Sequence, residues 1–343
     1  MLADCDFATR VAHDGVLFHG GLDAAGRYLP PRARHRPAAI RAWTEQLVRQ
    51  GHPTRVIGSE QLDLRVFPNV EQSKLLLRTG ARGAMTRILT LIGITEGFGN
   101  DGLGATPRPP LEPLFKESLA NTCLDHLYKG LMEAHGRDEA GWGNEAGHDA
   151  MWYALRDAAL DHPEITSDMF ENLPIAPPPG YSGPAKPSPE AIGVGQMQLL
   201  FPTLDPMFEV LLLVLTQLLV IELVAFGTFS WASDVLSDPQ CSAAPEFAPR
   251  VVDYIKQDEG IHVAYLQCAL SEVRCRTLVG SDGVEIAGQQ VIDNICERTL
   301  HNNRDGGRRQ RLLAYRMKQI RDELEAHPDG ARILTDFERL ATA

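Results

Sequence analysis

The chain has 343 residues, 44% of them hydrophobic and 23% charged, which is enough length and apolar content for a sizeable globular core. A net charge of −12 excludes broad nucleic-acid binding, which needs clustered basic residues. The one dense basic group, Arg304, Arg308, Arg309 and Arg311, reads as a solvated helix start.

Residues 1–70 mix turn signals with one amphipathic stretch over 38–50, and read as an N-terminal extension packed on a larger unit. Helical periodicity takes over from Glu71. Helices are expected over 71–98, 114–130, 139–160, 206–236 and 250–276, with three more in the tail at 284–301, 306–326 and 330–341. Residues 171–190 are rich in proline and read as a long crossover loop. Few segments alternate at strand period, so an all-α fold is expected. The divisions are an extension over 1–70, a helical domain over 71–276 and a helical extension over 277–343, forming one unit. The six cysteines contain no C-x-x-C pair and no secretory leader pattern opens the chain, so reduced thiols and a cytoplasmic location are expected.

Val210–Phe229 is long and apolar enough to cross a membrane, with Glu222 as its one charge. No second span accompanies it and no Lys or Arg flanks it closely, so a buried core helix is the expected reading. A carboxylate in such a helix is costly unless it is paired, protonated or bound to a metal.

Two segments share the spacing Glu-x-x-His: Glu145 with His148, and Glu259 with His262. On a helix, residues three apart lie on one face and can reach one metal. Each pair falls within an apolar seam, where core residues belong. Glu222 lies 37 residues before Glu259, so two antiparallel helices would bring them level. The matching carboxylate of the first half is Glu117, 28 residues before Glu145, with Glu96 as the alternative or an additional acid. Four buried carboxylates and two buried histidines without nearby cations would be expensive, and two divalent metals would balance them.

A lone Glu, a Glu-x-x-His, a second lone Glu and a second Glu-x-x-His resembles the ligand set of the ferritin-like di-iron carboxylate proteins. Asp258 before Glu259 makes the second motif Asp-Glu-x-x-His, which is similar to that of the bacterial multicomponent monooxygenases and the small subunit of ribonucleotide reductase. The resemblance spans about Leu114–Arg276. It implies a ferritin-like four-helix bundle holding two iron ions, manganese being the other candidate, with Glu117, Glu145, His148, Glu222, Glu259 and His262 as ligands. It implies that Asp258 orients a ligand histidine through its second nitrogen, with Asn144 in the equivalent place of the first motif. Trp152, one turn after His148, is a candidate for the layer behind the ligands. Core packing is the first reading for Trp152, Tyr265, His126, His135 and Tyr128.

The implied activity is O2-dependent oxidation of a small organic substrate by hydroxylation, N-oxygenation, desaturation or oxidative cleavage. An external electron donor is expected, a homodimer is possible, and no nucleic-acid or membrane partner is expected. The alternatives are a ferroxidase or iron-handling protein, and a radical-generating or non-catalytic partner subunit.

Overall fold

The apolar periodicity folds mainly into helices. The computed structural model describes residues 1–166, 198–305 and 307–342. The proline-rich crossover expected at 171–190 lies outside them. The first departure from an all-α reading is an antiparallel sheet of β1 (Thr9–His13), β2 (Val16–Leu22) and β3 (Tyr28–Leu29). Asp14 and Gly15 turn its first hairpin with φ of 47° and 80°. An Asp-Gly pair suits such a turn because both central residues need positive φ. A second hairpin pairs β4 (Thr277–Val279) with β5 (Glu285–Ala287).

The helices are α1 (Arg36–Arg49), α2 (Val70–Arg78), α3 (Gly83–Ala105), α4 (Cys123–His126), α5 (Met132–Ala140), α6 (His148–Leu160), α7 (Pro206–Leu236) and α8 (Ala248–Arg274), followed by α9 (Gly288–Asp305), α10 (Arg308–Glu325) and α11 (Gly330–Arg339). In α7, Pro206 occupies the first turn and the Asp205 carboxylate accepts the Phe208 amide, so the helix starts where it is expected.

Three stretches differ from expectation. The expected helix over 71–98 is two helices, α2 and α3. The expected helix over 114–130 shrinks to α4 and a π turn over Leu127–Leu131, because Asn121 has φ of 61° and Thr122 caps the chain only there. The expected helix over 139–160 breaks after Ala140. Gly141 and Gly143 have φ of 79° and 63°, and a Cβ on Gly141 would lie 2.3 Å from the Glu145 carbonyl oxygen. The loop between α5 and α6 is pinned to the sheet, where the Ala146 amide donates to the Leu17 carbonyl at 2.7 Å.

α7 packs along α8, α3 packs on α5 and α6, and α6 packs on α8. Two apolar cores result. One gathers Leu211–Val220 of α7 with Tyr265–Val273 of α8; the other gathers Phe229–Leu236 with Val251–Ile255 and the apolar face of α6. Glu222, Asp258, Glu259 and His262 fall between the two, where both helices pass from one core to the other. α7 is by length and composition able to cross a membrane, and half of its most apolar window is buried within the protein.

Candidate metal centre

Four helices and a helix start bring seven donors together at the seam between the cores. α3 supplies Glu96, α5 supplies His135 and Glu139, α6 opens with His148, α7 supplies Glu222, and α8 supplies Glu259 and His262. Their donor atoms form two overlapping groups. His135, Glu139, Glu222 and His262 make one; Glu96, Glu139, His148 and Glu259 make the other, and within each group the atoms lie within 4.8 Å of one another.

Glu139 belongs to both groups. Its Oε1 lies 3.3 Å from His135 Nε2, 3.4 Å from His148 Nδ1 and 3.3 Å from His262 Nδ1. Glu259 also spans them, with Oε1 2.9 Å from His148 Nδ1 and Oε2 2.6 Å from His262 Nδ1. Glu222 Oε1 lies 2.9 Å from His135 Nε2, and Glu96 Oε2 lies 3.9 Å from His148 Nδ1.

Glu139 Oε1, Glu259 Oε1, His135 Nε2 and His148 Nδ1 are buried, and although they lie 2.9–3.4 Å from neighbouring donors of the cluster, none is aligned for a hydrogen bond. Buried polar atoms in native proteins nearly always have partners, so four orphans aimed at one point call for an absent one. A donor set of carboxylate oxygens and imidazole nitrogens fits divalent first-row metals.

The far nitrogen of each histidine is held. His262 Nε2 lies 2.9 Å from Asp138 Oδ2, His148 Nε2 lies 3.1 Å from Asp258 Oδ2, and His135 Nδ1 lies 2.8 Å from the Tyr265 hydroxyl. Such contacts fix ring orientation and tautomer, leaving the near nitrogen as a donor. The two aspartates cross over: Asp138 on α5 backs a histidine of α8, and Asp258 on α8 backs the histidine of α6. Asp138 is clamped by Arg32 at 2.6 Å and Arg36 at 2.7 Å. Asp258 also meets His19 Nε2 at 2.9 Å and accepts the Tyr28 hydroxyl at 3.1 Å. All four of these partners come from residues 19–36, so the N-terminal segment is built into the centre.

The structure places the expected residues unequally. Glu96, His148, Glu222, Glu259 and His262 meet in the cluster, and Asp258 stands behind His148. Glu117 stands outside it: it is exposed and accepts the Thr277 amide at 3.0 Å, because the helix expected to carry it inward does not form. Glu145 is also outside, in the glycine-broken loop rather than on a helix, and pairs with Arg10. Asn144 is exposed in the same loop. Trp152 is fully buried in the apolar core and stacks on Phe229 with ring centroids 6.1 Å apart. His135 and Glu139 are the donors that spacing did not single out. A signal for them was present: Asp138-Glu139 repeats the Asp258-Glu259 pair, and His135 lies one helical turn before Glu139.

Electrostatics divides the carboxylates. Burial lifts Glu96 well above the ordinary carboxylate range, assisted by Glu259 and Glu139. Burial and the Glu259 charge push Glu222 up to about 8. Burial also acts to raise Glu139, but His148, His135 and His262 outweigh it and hold that carboxyl well below its usual range. His262 is driven the other way. Burial and His135 act to lower it, and Glu259, Asp138 and Glu139 outweigh them to bring it to about 10. In the metal-free protein near pH 7, Glu222 and His262 therefore keep protons that a metal must displace. Loading the metal-free chain in weak buffer is expected to release about two or more protons, and metal affinity should rise with pH through about 8, where Glu222 loses its proton, and on toward about 10, where His262 does. Loading without acidification of the solution would contradict this.

Comparison with protein-family models, with curated proteins and with solved structures returns no match for this chain.

Proposed function

We propose that the centre holds two divalent first-row metal ions, iron among them, and that the protein is an O2-dependent oxidoreductase acting on a small organic substrate. In this reading α3, the α5–α6 pair, α7 and α8 form a ferritin-like bundle whose second helix is broken at 141–147. The observation that carries it is the position of Glu139 in both donor groups, with Glu259 spanning the same gap. Carboxylates shared between neighbouring donor sets are what a paired-metal site requires.

Bound irons would supply the reduction of O2 and the oxidising power for the substrate. The chain supplies the rest. Asp138, Asp258 and Tyr265 hold the three imidazoles with one nitrogen facing inward. The apolar cores above and below keep bulk water from the reacting centre. Glu96 and Glu222 keep 11% and 6% of their side-chain surface exposed, whereas the three histidines keep none. In this reading O2 and substrate would approach from the Glu96 side, the most exposed of the donors.

The test is reconstitution of the full chain with Fe(II) under nitrogen, followed by metal analysis and O2 uptake with an external reductant. About two irons per chain and O2 consumption are expected for the paired site. Iron content well below about one per chain would overturn the paired-metal reading. Accumulation of many irons per chain would point instead to an iron-handling protein.

A further inference from the structure

We infer that the two metal positions are chemically unlike and select different ions: the His135–His262 position a borderline ion of the Fe(II), Co(II) or Zn(II) kind, and the Glu96–His148 position a harder, Mn(II)-like ion. The inference rests on the paired-metal reading and deepens it.

The donor sets differ in kind. Glu139 belongs to both groups and does not distinguish them; Glu259 belongs to the second and reaches toward the first only through Oε2, 2.6 Å from His262 Nδ1. What remains at the first position is His135 Nε2, His262 Nδ1 and Glu222. What remains at the second is His148 Nδ1, Glu96 and Glu259. One position therefore has two nitrogens and the other has one. Imidazole suits the later, borderline ions, while carboxylate suits manganese. The extra nitrogen belongs to His135, which is fully buried, stacked on His262 at 3.7 Å between ring centroids, and fixed from behind by Tyr265. It is built in place rather than present by accident.

The surroundings differ as well. Behind His262, one carboxylate, Asp138, is held by the two buried guanidiniums of Arg32 and Arg36, so that side is net positive. Behind His148, Asp258 meets an imidazole and a phenol, and no Lys or Arg pairs with it among the described residues. Its Oδ1 is buried and makes no hydrogen bond. The second position thus lies in the more negative half of the centre. A negative surround attracts any divalent ion by the same Coulomb term, so it strengthens binding at the second position, while the choice between ions rests on the donor types.

The experiment loads the metal-free full chain under nitrogen with about one equivalent of Co(II) and about ten of Mn(II), the excess offsetting the greater general affinity of cobalt. Mass spectrometry gives the total of each metal. Anomalous scattering from crystals, collected at the cobalt and manganese edges, gives the occupant of each position. Cobalt is expected at the His135–His262 position over the other by about tenfold or more, with manganese at the Glu96–His148 position, in line with the size of ligand-environment effects on affinity. Equal distribution, or the reverse order, overturns the inference while leaving two bound metals and the paired-metal reading intact. Absence of metal at both positions overturns that reading as well. In His135→Asp the lost nitrogen should raise the manganese-to-cobalt ratio at the first position toward that of the second; an unchanged ratio also counts against the inference. Should that variant fail to fold, the wild-type distribution decides alone.

Discussion

Glu139→Ala is expected to empty both metal positions, taking metal content from about two per chain to below about half of one. Its Oε1 lies within 3.4 Å of all three inward-facing histidine nitrogens, and it is the member common to both donor groups. Loss of any other carboxylate leaves one group complete or nearly so; loss of Glu139 weakens both at once. Glu139→Gln keeps the shape, removes the charge, and should also lose metal. Glu117→Ala and Glu145→Ala serve as controls, because the first residue bonds the Thr277 amide and the second pairs with Arg10, both away from the centre. Circular dichroism of the metal-free variants separates loss of a ligand from loss of fold. Full metal content in a folded Glu139→Ala protein would remove the bridging role and, with it, the strongest support for a paired site.

The unequal fate of the two halves has a physical cause. α7 and α8 are long, uninterrupted and antiparallel, so sequence distance from the loop near Cys241 translates directly into height along the pair. Glu222, Glu259 and His262 could be placed by counting. The first half offers no such ruler. Positive φ at Asn121, Gly141 and Gly143 and a π turn over Leu127–Leu131 interrupt the helical rise, and counting backward from Glu145 led to Glu117 on the surface. His148 reaches the centre from the start of α6, without Glu145 beside it. The pair that does the corresponding work, His135 and Glu139, lies before the break. The contributions of His19, Tyr28, Arg32 and Arg36 were illegible for another reason. They act across more than 100 residues of sequence, and no local periodicity records such contacts. The hairpin that carries His19 had only an Asp-Gly pair to announce it, and its strands are too short to show a clear alternation.

Removal of the Asp138 carboxylate is expected to be the most damaging change to stability near the centre. Asp138 and Arg36 are fully buried and Arg32 nearly so. Breaking a buried pair by deleting one partner costs about 3–5 kcal/mol, because the remaining charge loses its compensation. In Asp138→Ala two guanidiniums are stranded together, although Arg36 keeps bonds to the carbonyls of Pro31 and Arg32. The melting temperature of the metal-free protein should fall by roughly 5–10 °C. The pH dependence follows from the direction of the Asp138 shift. Burial acts to raise it, but Arg36, Arg32 and His262 outweigh burial and hold it well below the usual range. A depressed carboxylate contributes stability that is present above its unfolded value of about 4 and is lost as pH falls through the lower folded value. The deficit of Asp138→Ala should therefore be constant between about pH 6 and 8 and narrow only in strong acid. Measuring the metal-free proteins keeps metal binding out of the comparison. Replacing Asp138, Arg32 and Arg36 together by apolar residues of similar size should cost less than Asp138→Ala alone, since no charge is then stranded. A triple variant less stable than the single one would mean that the clamp contributes through shape rather than charge. A loss below about 1 kcal/mol in the single variant would mean that water or movement of the N-terminal segment relieves the arginines, and that the segment is held to the centre more loosely than the contacts of Asp138 imply.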